Sequence, residues 1–280
     1  MTITKLRSLL FMPAVRPEMV AKGPRSGADG MVIDCEDATP ANAKAEGRRL
    51  ALELAPGLSG EPILVFVRVN AVPTEWFADD IAHGLDASLD GVVVPVVETT
   101  AQLDEAAAAL AAAGLSHLGI IAGIETALGV ADCRELLAHR AVVGGYFGAE
   151  DFIADMGGIR TESNVEVAYA RGRVALAGRL AGVPVLDQIV ANFKDDDRLH
   201  RENAEARAMG YAGKLCIHPQ QVAIANADFM PSAAEVDRAT RLLAAYDDAT
   251  AAGIAAIAFE GQMVDEPLAA QARQIIASAR

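Results

Sequence analysis

Two apolar runs, HLGIIAGIE (His117–Glu125) and AVVGGYFGAED (Ala141–Asp151), decide how this chain folds. Both are short and rich in branched aliphatic residues and glycine, a composition typical of strands buried on both faces of a parallel sheet. The first run ends in Glu125 and the second in Asp151. Because parallel strands present their carboxyl ends at one edge, where α/β sheets bind ligands, we expect both carboxylates to face one site.

A pair of carboxylates at such an edge can hold a hard divalent cation, with water and substrate oxygens completing its coordination. The alternative is structural, because an acid that follows a strand often caps the helix that comes next. The pair by itself leaves both interpretations open.

Strand-like and helix-like segments alternate on either side of this pair. The predicted strands are Ser8–Met12, Gly30–Asp34, Ile63–Val69, Gly91–Val96, His117–Ile124, Val142–Phe147, Pro184–Val190 and Lys214–Ile217. Helical periodicity marks Pro17–Ser26, Ala41–Leu54, Thr99–Ala113, Asn164–Leu180 and Asp195–Met209. Eight strands with intervening helices predict an α/β fold, a (β/α)₈ TIM barrel over residues 1–230. An open doubly wound sheet is the second possibility, although no glycine-rich dinucleotide motif follows the first strand.

The C-terminal residues 231–280 have a different pattern. A helix is predicted from Ser232 to about Ala252, helical periodicity is lost over Gly253–Glu266, and a second helix is predicted over Pro267–Ala277. A barrel does not require such an extension. The segment is therefore expected to be a lid, an oligomerisation arm or a closing pair of helices.

Composition limits the function classes. The net charge of −14 over 280 residues argues against a nucleic-acid-binding surface. Cys35, Cys133 and Cys216 are isolated and lack metal-ligand spacing, which favours a reducing, cytoplasmic location. The first apolar run is interrupted by Pro13 and is too short to cross a membrane.

Two further segments carry unusual charge. Asp34–Asp37 places three acids in four positions at the end of the second strand, which is costly unless a cation or an arginine compensates for it. Arg68 lies within the apolar third strand, where its guanidinium keeps its charge and requires an anion. That anion is either a substrate oxygen or the acid cluster. Arg7 enters the first strand in the same way.

Two residues are ambiguous from their local sequence. His218 follows the eighth strand, where a histidine is either a structural hydrogen-bonding group or a catalyst. Asp265 precedes Pro267 and the last predicted helix, and its local sequence does not distinguish it from other acids.

Seven segments, taken in order, resemble the citrate lyase beta-subunit-like branch of the HpcH/HpaI aldolase superfamily. They are Arg7–Pro13, Gly27–Asp29 leading to Asp34–Ala38, Val67–Asn70, Ile124–Ala127, Phe147–Phe152, Gly213–Gln221 and Met263–Leu268. The resemblance covers nearly the whole chain. It depends on the seven segments together, because none of them is specific by itself.

The resemblance implies a TIM barrel, in a homotrimer or hexamer, with Mg²⁺ (or Mn²⁺) held by Glu125 and Asp151. Arg68 matches the arginine that contacts the substrate oxygen. Asp265 matches a C-terminal acid that acts over a neighbouring subunit's site as part of a lid. The remaining predicted site residues are Arg7, Glu36, Asp37, Ile217 and His218 for the substrate, and Arg16, Lys22 and Arg25 for coenzyme A.

These assignments predict a lyase that cleaves or forms a 3-hydroxyacyl-CoA of the malyl-, citramalyl- or citryl-CoA type, from a 2-oxoacid and an acyl-CoA enolate. Two departures from the family pattern, Ala14 after Pro13 and Val96 in place of a lysine, concern thioester recognition more than metal binding. The enzymatic alternatives are a CoA-independent 2-oxoacid aldolase of the acetylpyruvate type and a malyl-CoA thioesterase or malate synthase-like activity. A non-catalytic binding protein or scaffold subunit is the remaining possibility.

Overall fold

The computed structural model describes Ile3 and residues 5–279, and over these residues eight parallel strands close into a barrel. The strands are β1 (Ser8–Pro13), β2 (Gly30–Asp34), β3 (Leu64–Arg68), β4 (Gly91–Val94), β5 (Gly119–Ile124), β6 (Val142–Phe147), β7 (Val185–Asp187) and β8 (Gly213–Cys216). Each strand pairs with the next in sequence, and β8 pairs with β1 through the register Leu9↔Leu215. This closure confirms the TIM barrel and rules out the open doubly wound sheet.

Helices connect the strands around the barrel. They are α1 (Pro17–Val20), α2 (Lys44–Leu58), α3 (Phe77–His83), α4 (Thr100–Ala112), α5 (Ala127–Leu137), α6 (Ala149–Met156), α7 (Ala168–Ala181), α8 (Asp196–Met209) and α9 (Pro219–Asp228). The single helix predicted over Pro17–Ser26 is instead α1 followed by a 3₁₀ turn at Gly23–Ser26. Pro24 accounts for the break, because a proline inside an α-helix removes a backbone donor and clashes with the preceding turn.

Each strand contributes an inward-facing side chain to the core inside the barrel. These residues are Leu9, Val32, Phe66, Val93, Ile121, Tyr146, Leu186 and Leu215, all of them buried. Strand residues alternate between two faces, so every second residue points inward. The interior is therefore a packed core, and space for a ligand remains only at its ends.

Outward-facing polar residues of β7 and β8 form a second buried feature, which we call the β7–β8 cluster. It consists of Arg171 on α7, Asp187 on β7, Glu202 on α8 and Lys214 on β8. The Lys214 ammonium lies 2.7 Å from Asp187 and 3.1 Å from Glu202, and Arg171 lies 3.0 Å from Asp187. Two cations and two carboxylates thus compensate each other between the barrel and its helices.

The chain divides into two compact units, Met1–Asn226 and Ala227–Arg280. The second unit contains α10 (Ala233–Ala251), the antiparallel strands β9 (Ile257–Phe259) and β10 (Gln262–Val264), and α11 (Glu266–Ser278). The hairpin occupies the segment that lacked helical periodicity. Its two-residue turn, Glu260 and Gly261, has positive φ angles of 49° and 78°, as the turns favoured in hairpins require.

Two properties of the described chain bear on its environment. Among the described residues, no helix combines the length and the hydropathy that a membrane span needs. The three cysteines are free and buried. Burial raises the pKa of each of their thiols, that of Cys216 to about 12.

Candidate active site

A pocket of about 470 Å³ lies at the carboxyl ends of the barrel strands. It is lined by Phe11, Pro13, Asp34, Asp37, Ala38, Arg68, Glu125, Tyr146, Gly148, Ala149, Glu150, Asp151, Ile189, Leu215 and Ile217. These residues come from loops and strand ends that are far apart in sequence. The barrel brings them together because all of its strands are parallel.

Glu125 directly follows β5 and is held in a tightly fitted position. It is 3% exposed, and its Oε2 accepts a hydrogen bond of 2.8 Å from the backbone N–H of Val96. A Cβ atom on Gly123 or Gly148 would lie 2.8 Å and 2.5 Å, respectively, from a Glu125 carboxylate oxygen. Glycine at both positions therefore leaves the room that the carboxylate occupies.

Asp151 also lines the pocket, from the first turn of α6. Partial burial raises the pKa of its carboxyl, and the negative charge of Asp37 adds to the effect. Burial also raises the pKa of Glu125, to about 7, against the lowering effect of Arg68. The negative charge of Asp151 contributes to this rise, so the two carboxylates oppose each other's ionisation.

Arg68 ends β3 beside Asp34, its neighbour in the register of β2 and β3. Its Nε and Nη2 donate to the two carboxylate oxygens of Asp34 at 2.8 and 2.5 Å. Its Nη1 lies 2.9 Å from Glu36 and 3.7 Å from Asp37. Arg68 therefore forms the predicted salt bridge with the acid cluster, in the wall of the pocket.

The pocket has an excess of negative charge. Five carboxylates, Asp34, Glu36, Asp37, Glu125 and Asp151, surround Arg68, which is the one guanidinium among the described residues lining the pocket. Another lining carboxylate, Glu150, is paired with Arg160 at 3.0 Å. Burial raises the pKa of Glu36 to about 8, and the charge of Asp37 adds to the effect. An anionic substrate would be repelled from this pocket unless a further cation were bound.

The donor set fits a hard divalent cation. Over Ile3 and residues 5–279, no group of three or more His, Cys, Asp or Glu side chains could hold a metal ion. Glu125 and Asp151 together supply carboxylate oxygens that face open space in the pocket. Mg²⁺ is commonly bound through one or two carboxylates, with waters and substrate oxygens as its remaining ligands, and the pair is suited to that arrangement.

The structure also places the remaining predicted substrate residues. Asp37 and Ile217 line the pocket. Glu36 is not among the described lining residues, but its carboxylate contacts Arg68, which is. His218 adjoins Ile217, but its ring stacks on Phe193 with 4.5 Å between ring centroids. His218 is not among the lining residues, so its position favours the structural alternative.

Arg7 is not brought to this site. It precedes β1 and so lies at the amino-terminal end of the barrel, opposite the pocket. Its guanidinium donates to both carboxylate oxygens of Asp29, at 2.8 and 2.7 Å. The position of Arg7 therefore does not support its predicted substrate role, because it precedes β1 and is not among the described residues that line the pocket.

The predicted coenzyme A residues and the predicted C-terminal acid lie outside the lining. Arg16, Lys22 and Arg25 are exposed on the segment that follows β1, and Arg16 pairs with Glu18 at 2.6 Å. Asp265 belongs to the second unit, where it directly precedes α11.

Sequence reasoning missed two contributors to the pocket. Tyr146 lines it from β6, and the backbone N–H of Val96 holds Glu125. A tyrosine inside an apolar strand was a usable signal for the first, because a buried hydroxyl normally needs a partner. The second had no signal in the sequence, because the contact is made by the main chain.

The chain is similar to a known protein family, to individual proteins of that kind and to a solved structure. The chain matches the model of the HpcH/HpaI aldolase/citrate lyase family over residues 7–219. A citrate lyase subunit beta-like protein of Deinococcus radiodurans is 46% identical over 275 residues, which cover 97% of this chain and 96% of that protein. A (3S)-malyl-CoA thioesterase of Cereibacter sphaeroides is 33% identical over 273 residues, covering 98% of this chain and 94% of that protein. The crystal structure of the protein CitE from Mycobacterium tuberculosis in complex with magnesium, acetoacetate and coenzyme A has a TM-score of 0.83 and 31% identity, and the match covers 99% of this chain and 98% of that one.

Proposed function

The chain belongs to the HpcH/HpaI aldolase/citrate lyase family, and we propose that it is a Mg²⁺-dependent carbon–carbon lyase. Its substrate would be a 3-hydroxyacyl-CoA of the malyl-, citramalyl- or citryl-CoA type, cleaved to or formed from a 2-oxoacid and an acyl-CoA enolate. The observation that carries the proposal is the excess of carboxylates around Arg68 in one pocket, with Glu125 and Asp151 facing open space. The crystallised relative with magnesium, acetoacetate and coenzyme A supports the same ligand classes.

Each residue of the pocket has a role in this proposal. Glu125 and Asp151 would hold Mg²⁺, which supplies Lewis-acid polarisation of the oxoacid carbonyl when bound. Arg68 is fixed by two hydrogen bonds to Asp34, so its remaining N–H groups are held in one orientation. They would stabilise the oxygen that becomes negative in the enolate, which is usually a large part of catalysis in such reactions.

Asp265 would transfer the proton at the enolate carbon. We propose a homotrimer or hexamer in which the second unit of one subunit covers the pocket of its neighbour, so that Asp265 acts in trans. Closing the site in this way would also exclude water from the enolate. The same proposal places the enzyme in the cytoplasm, and the three free thiols support that location.

Arg16, Lys22 and Arg25 would bind the phosphates of coenzyme A. All three are exposed, and Arg16 pairs with Glu18, which is itself exposed. An exposed ion pair contributes little to stability, so Arg16 can exchange its partner for a phosphate at small cost.

The first experiment is calorimetric titration of the Mg²⁺-loaded protein with acetyl-CoA and, separately, with glyoxylate and pyruvate. Binding of both halves is the expected result, and malyl-CoA and citramalyl-CoA then serve as substrates in a turnover assay. Binding of an oxoacid without any signal from acetyl-CoA would replace the lyase by the CoA-independent aldolase. Binding of neither half would contradict the proposal.

Replacement of Asp265 by asparagine tests the proton-transfer role. We expect Asp265→Asn to lower turnover about 100-fold or more, the range typical of a lost general acid or base, with Mg²⁺ and pyruvate affinities unchanged. Full turnover in this variant would show that another group moves the proton.

Mixed oligomers test whether the site is shared between subunits. Asp265→Asn and Glu125→Gln subunits, each inactive when produced alone, are expected to regain activity when they are co-expressed, because a neighbour supplies Asp265 to an intact pocket. Light scattering of each protein gives the oligomeric state. A strict monomer, or mixtures that stay inactive, would contradict action in trans.

The thioesterase relative supports one alternative outcome. Capture of water by the bound thioester would convert malyl-CoA to malate and free coenzyme A, whereas the lyase reaction gives acetyl-CoA and glyoxylate. Product analysis by chromatography separates the two activities in a single assay.

A further inference from the structure

Tyr146 belongs to the barrel core and also lines the pocket. Its side chain belongs to the core inside the barrel and is 1% exposed. The ring packs edge-on against Phe11 with 6.2 Å between centroids, and both residues line the pocket. The ring therefore belongs to the floor of the site, where it also completes the core.

The hydroxyl of Tyr146 is the unusual part of this residue. It is fully buried and meets no acceptor among the described residues in good hydrogen-bonding geometry, although the Glu125 carboxylate lies close enough to act on it. Buried hydroxyls without a partner are rare because removing them from water is unfavourable. A phenylalanine would fill the same core position without that cost, so the hydroxyl requires an explanation.

The position of the hydroxyl suggests why it is there. Gly123 and Tyr146 are partners in the register of β5 and β6, and a Cβ on Gly123 would lie 2.6 Å from Tyr146 Oη and 2.8 Å from Glu125 Oε2. The hydroxyl and that carboxylate oxygen therefore flank the same small space. Glu125 Oε2 already accepts the N–H of Val96, and its contact with the hydroxyl is close but poorly aligned for a hydrogen bond. Burial and the charge of Glu125 both raise the pKa of Tyr146, so the hydroxyl stays protonated and can donate to a better-placed acceptor.

Arg68 borders the same part of the floor. Its guanidinium carbon lies 5.1 Å from the centroid of the Phe11 ring, which in turn contacts Tyr146. All three side-chain nitrogens of Arg68 contact Asp34 or Glu36. An uncharged O–H group is thus available beside the guanidinium, in a pocket otherwise dominated by acceptors.

We propose that Tyr146 is a further substrate-contacting residue, whose hydroxyl donates a hydrogen bond to an oxygen of the 2-oxoacid bound between Glu125 and Arg68. The inference rests on the proposed function and adds a residue to the recognition of its oxoacid half. The substrate oxygen supplies the acceptor that the protein itself does not. Tyr146 thereby selects ligands that place an oxygen, and not a methyl group, at this point of the floor.

The test is Tyr146→Phe, which removes one oxygen atom and keeps the ring. Calorimetry measures the binding of Mg²⁺ alone, and then of pyruvate and glyoxylate to the Mg²⁺-loaded protein. We expect the oxoacid Kd to rise about tenfold or more, which corresponds to the loss of one hydrogen bond to a charged ligand. The Mg²⁺ Kd is expected to change less than about twofold.

Tyr211→Phe is the matched control. Tyr211 is also a buried tyrosine, and its hydroxyl donates to the backbone oxygen of Arg171 at 2.9 Å. It is not among the described residues that line the pocket. Its loss is expected to lower the melting temperature and to leave both affinities unchanged.

Three results would overturn the inference, each in a different way. An unchanged oxoacid Kd in Tyr146→Phe would show that the hydroxyl does not contact the ligand. An equal weakening of Mg²⁺ would show that it acts on Glu125 instead. If the wild-type protein binds Mg²⁺ but neither oxoacid, the proposed function fails first, and the role of Tyr146 fails with it.

Discussion

The first unit contains two clusters of buried charge that are built in opposite ways. In the β7–β8 cluster, Lys214 and Arg171 compensate Asp187 and Glu202 at hydrogen-bonding distance. In the pocket, five carboxylates surround Arg68. Both clusters contain buried carboxylates, Glu202 in the first and Asp34 and Glu125 in the second, so burial alone does not distinguish them.

The carboxyl pKa values show the difference. Burial acts to raise the pKa of Glu202, yet it falls to about 2 because Lys214 and several hydrogen bonds stabilise the charged form. Burial raises the pKa of Glu125 to about 7 and that of Glu36 to about 8, since Arg68 alone does not compensate for it. In the β7–β8 cluster, the charges compensate each other within the protein. In the pocket, Arg68 alone does not compensate the carboxylates, and this supports our proposal that a cation binds there.

The largest effect is expected from breaking the balanced cluster. Lys214→Met would leave Asp187 and Glu202 without the ammonium that both contact. Removing one partner of a buried ion pair typically costs ~3–5 kcal/mol, and we expect a loss of that size in the free energy of unfolding, measured in urea. Lys194→Met, at an exposed lysine, is the control and should cost less than ~1 kcal/mol. Equal losses in the two variants would contradict the structural role of the cluster.

The unbalanced cluster predicts an unusual dependence of stability on pH. Glu125 and Glu36 have folded-state pKa values above the ordinary 4.5, so their contribution is fully present below pH 4.5 and is lost as the pH rises through about 7 to 8. For Glu125, a rise from 4.5 to about 7 corresponds to on the order of 3 kcal/mol. We therefore expect the metal-free protein to lose stability between pH 4.5 and 8, measured by urea denaturation at each pH.

Two controls sharpen this result. Mg²⁺ should restore the stability lost at pH 8, because it binds the charged carboxylates of the folded state. Glu125→Gln should remove the part of the pH dependence that is due to Glu125, leave the part due to Glu36, and abolish the Mg²⁺ effect. The contribution of Glu202, whose pKa is about 2, is constant over this range and is lost only as the pH falls toward 2. A metal-free protein whose stability rises from pH 4.5 to 8 would contradict the assignment.

The smallest effect concerns Val96, whose N–H holds Glu125 in the unbalanced cluster. Its φ of 51° is in the left-handed region, which is unfavourable for a β-branched residue. We expect Val96→Gly to raise the free energy of unfolding by ~1 kcal/mol, because relief of strain exceeds the added flexibility of glycine. Mg²⁺ affinity should be unchanged, because the N–H donor remains. A tenfold weaker Mg²⁺ affinity would show that the valine side chain itself holds the loop.

The barrel was predictable because each of its strands coincides with a hydrophobic run of strand length in the sequence. All eight strands were found, although β7 is Val185–Asp187 and not the predicted Pro184–Val190. Apolar residues continue beyond the hydrogen-bonded part of that strand, and periodicity does not mark where pairing ends. Four helices, α3, α5, α6 and α9, were not predicted, because each is short or follows its strand without a clear change of pattern.

The site was predictable where chemistry and position coincide. Glu125, Asp151 and Arg68 stand at strand ends, and the structure brings them to one pocket. Arg7 shares the composition of such a position, but it precedes its strand and pairs with Asp29 at the other end of the barrel. The β7–β8 cluster was not predicted, because Lys214 and Glu202 meet only once α8 packs on the barrel. Pairing of that kind depends on tertiary packing and leaves no spacing signal.

The burial of Cys35, Cys133 and Cys216 has a practical consequence for labelling chemistry. Thiol reagents attack the thiolate, and these three groups are both inaccessible and predominantly protonated at neutral pH. A single cysteine introduced at an exposed position of the second unit, such as Met263→Cys, where the methionine is 67% exposed, would react selectively with a maleimide dye. The native cysteines therefore do not need to be replaced before a single site is labelled for fluorescence.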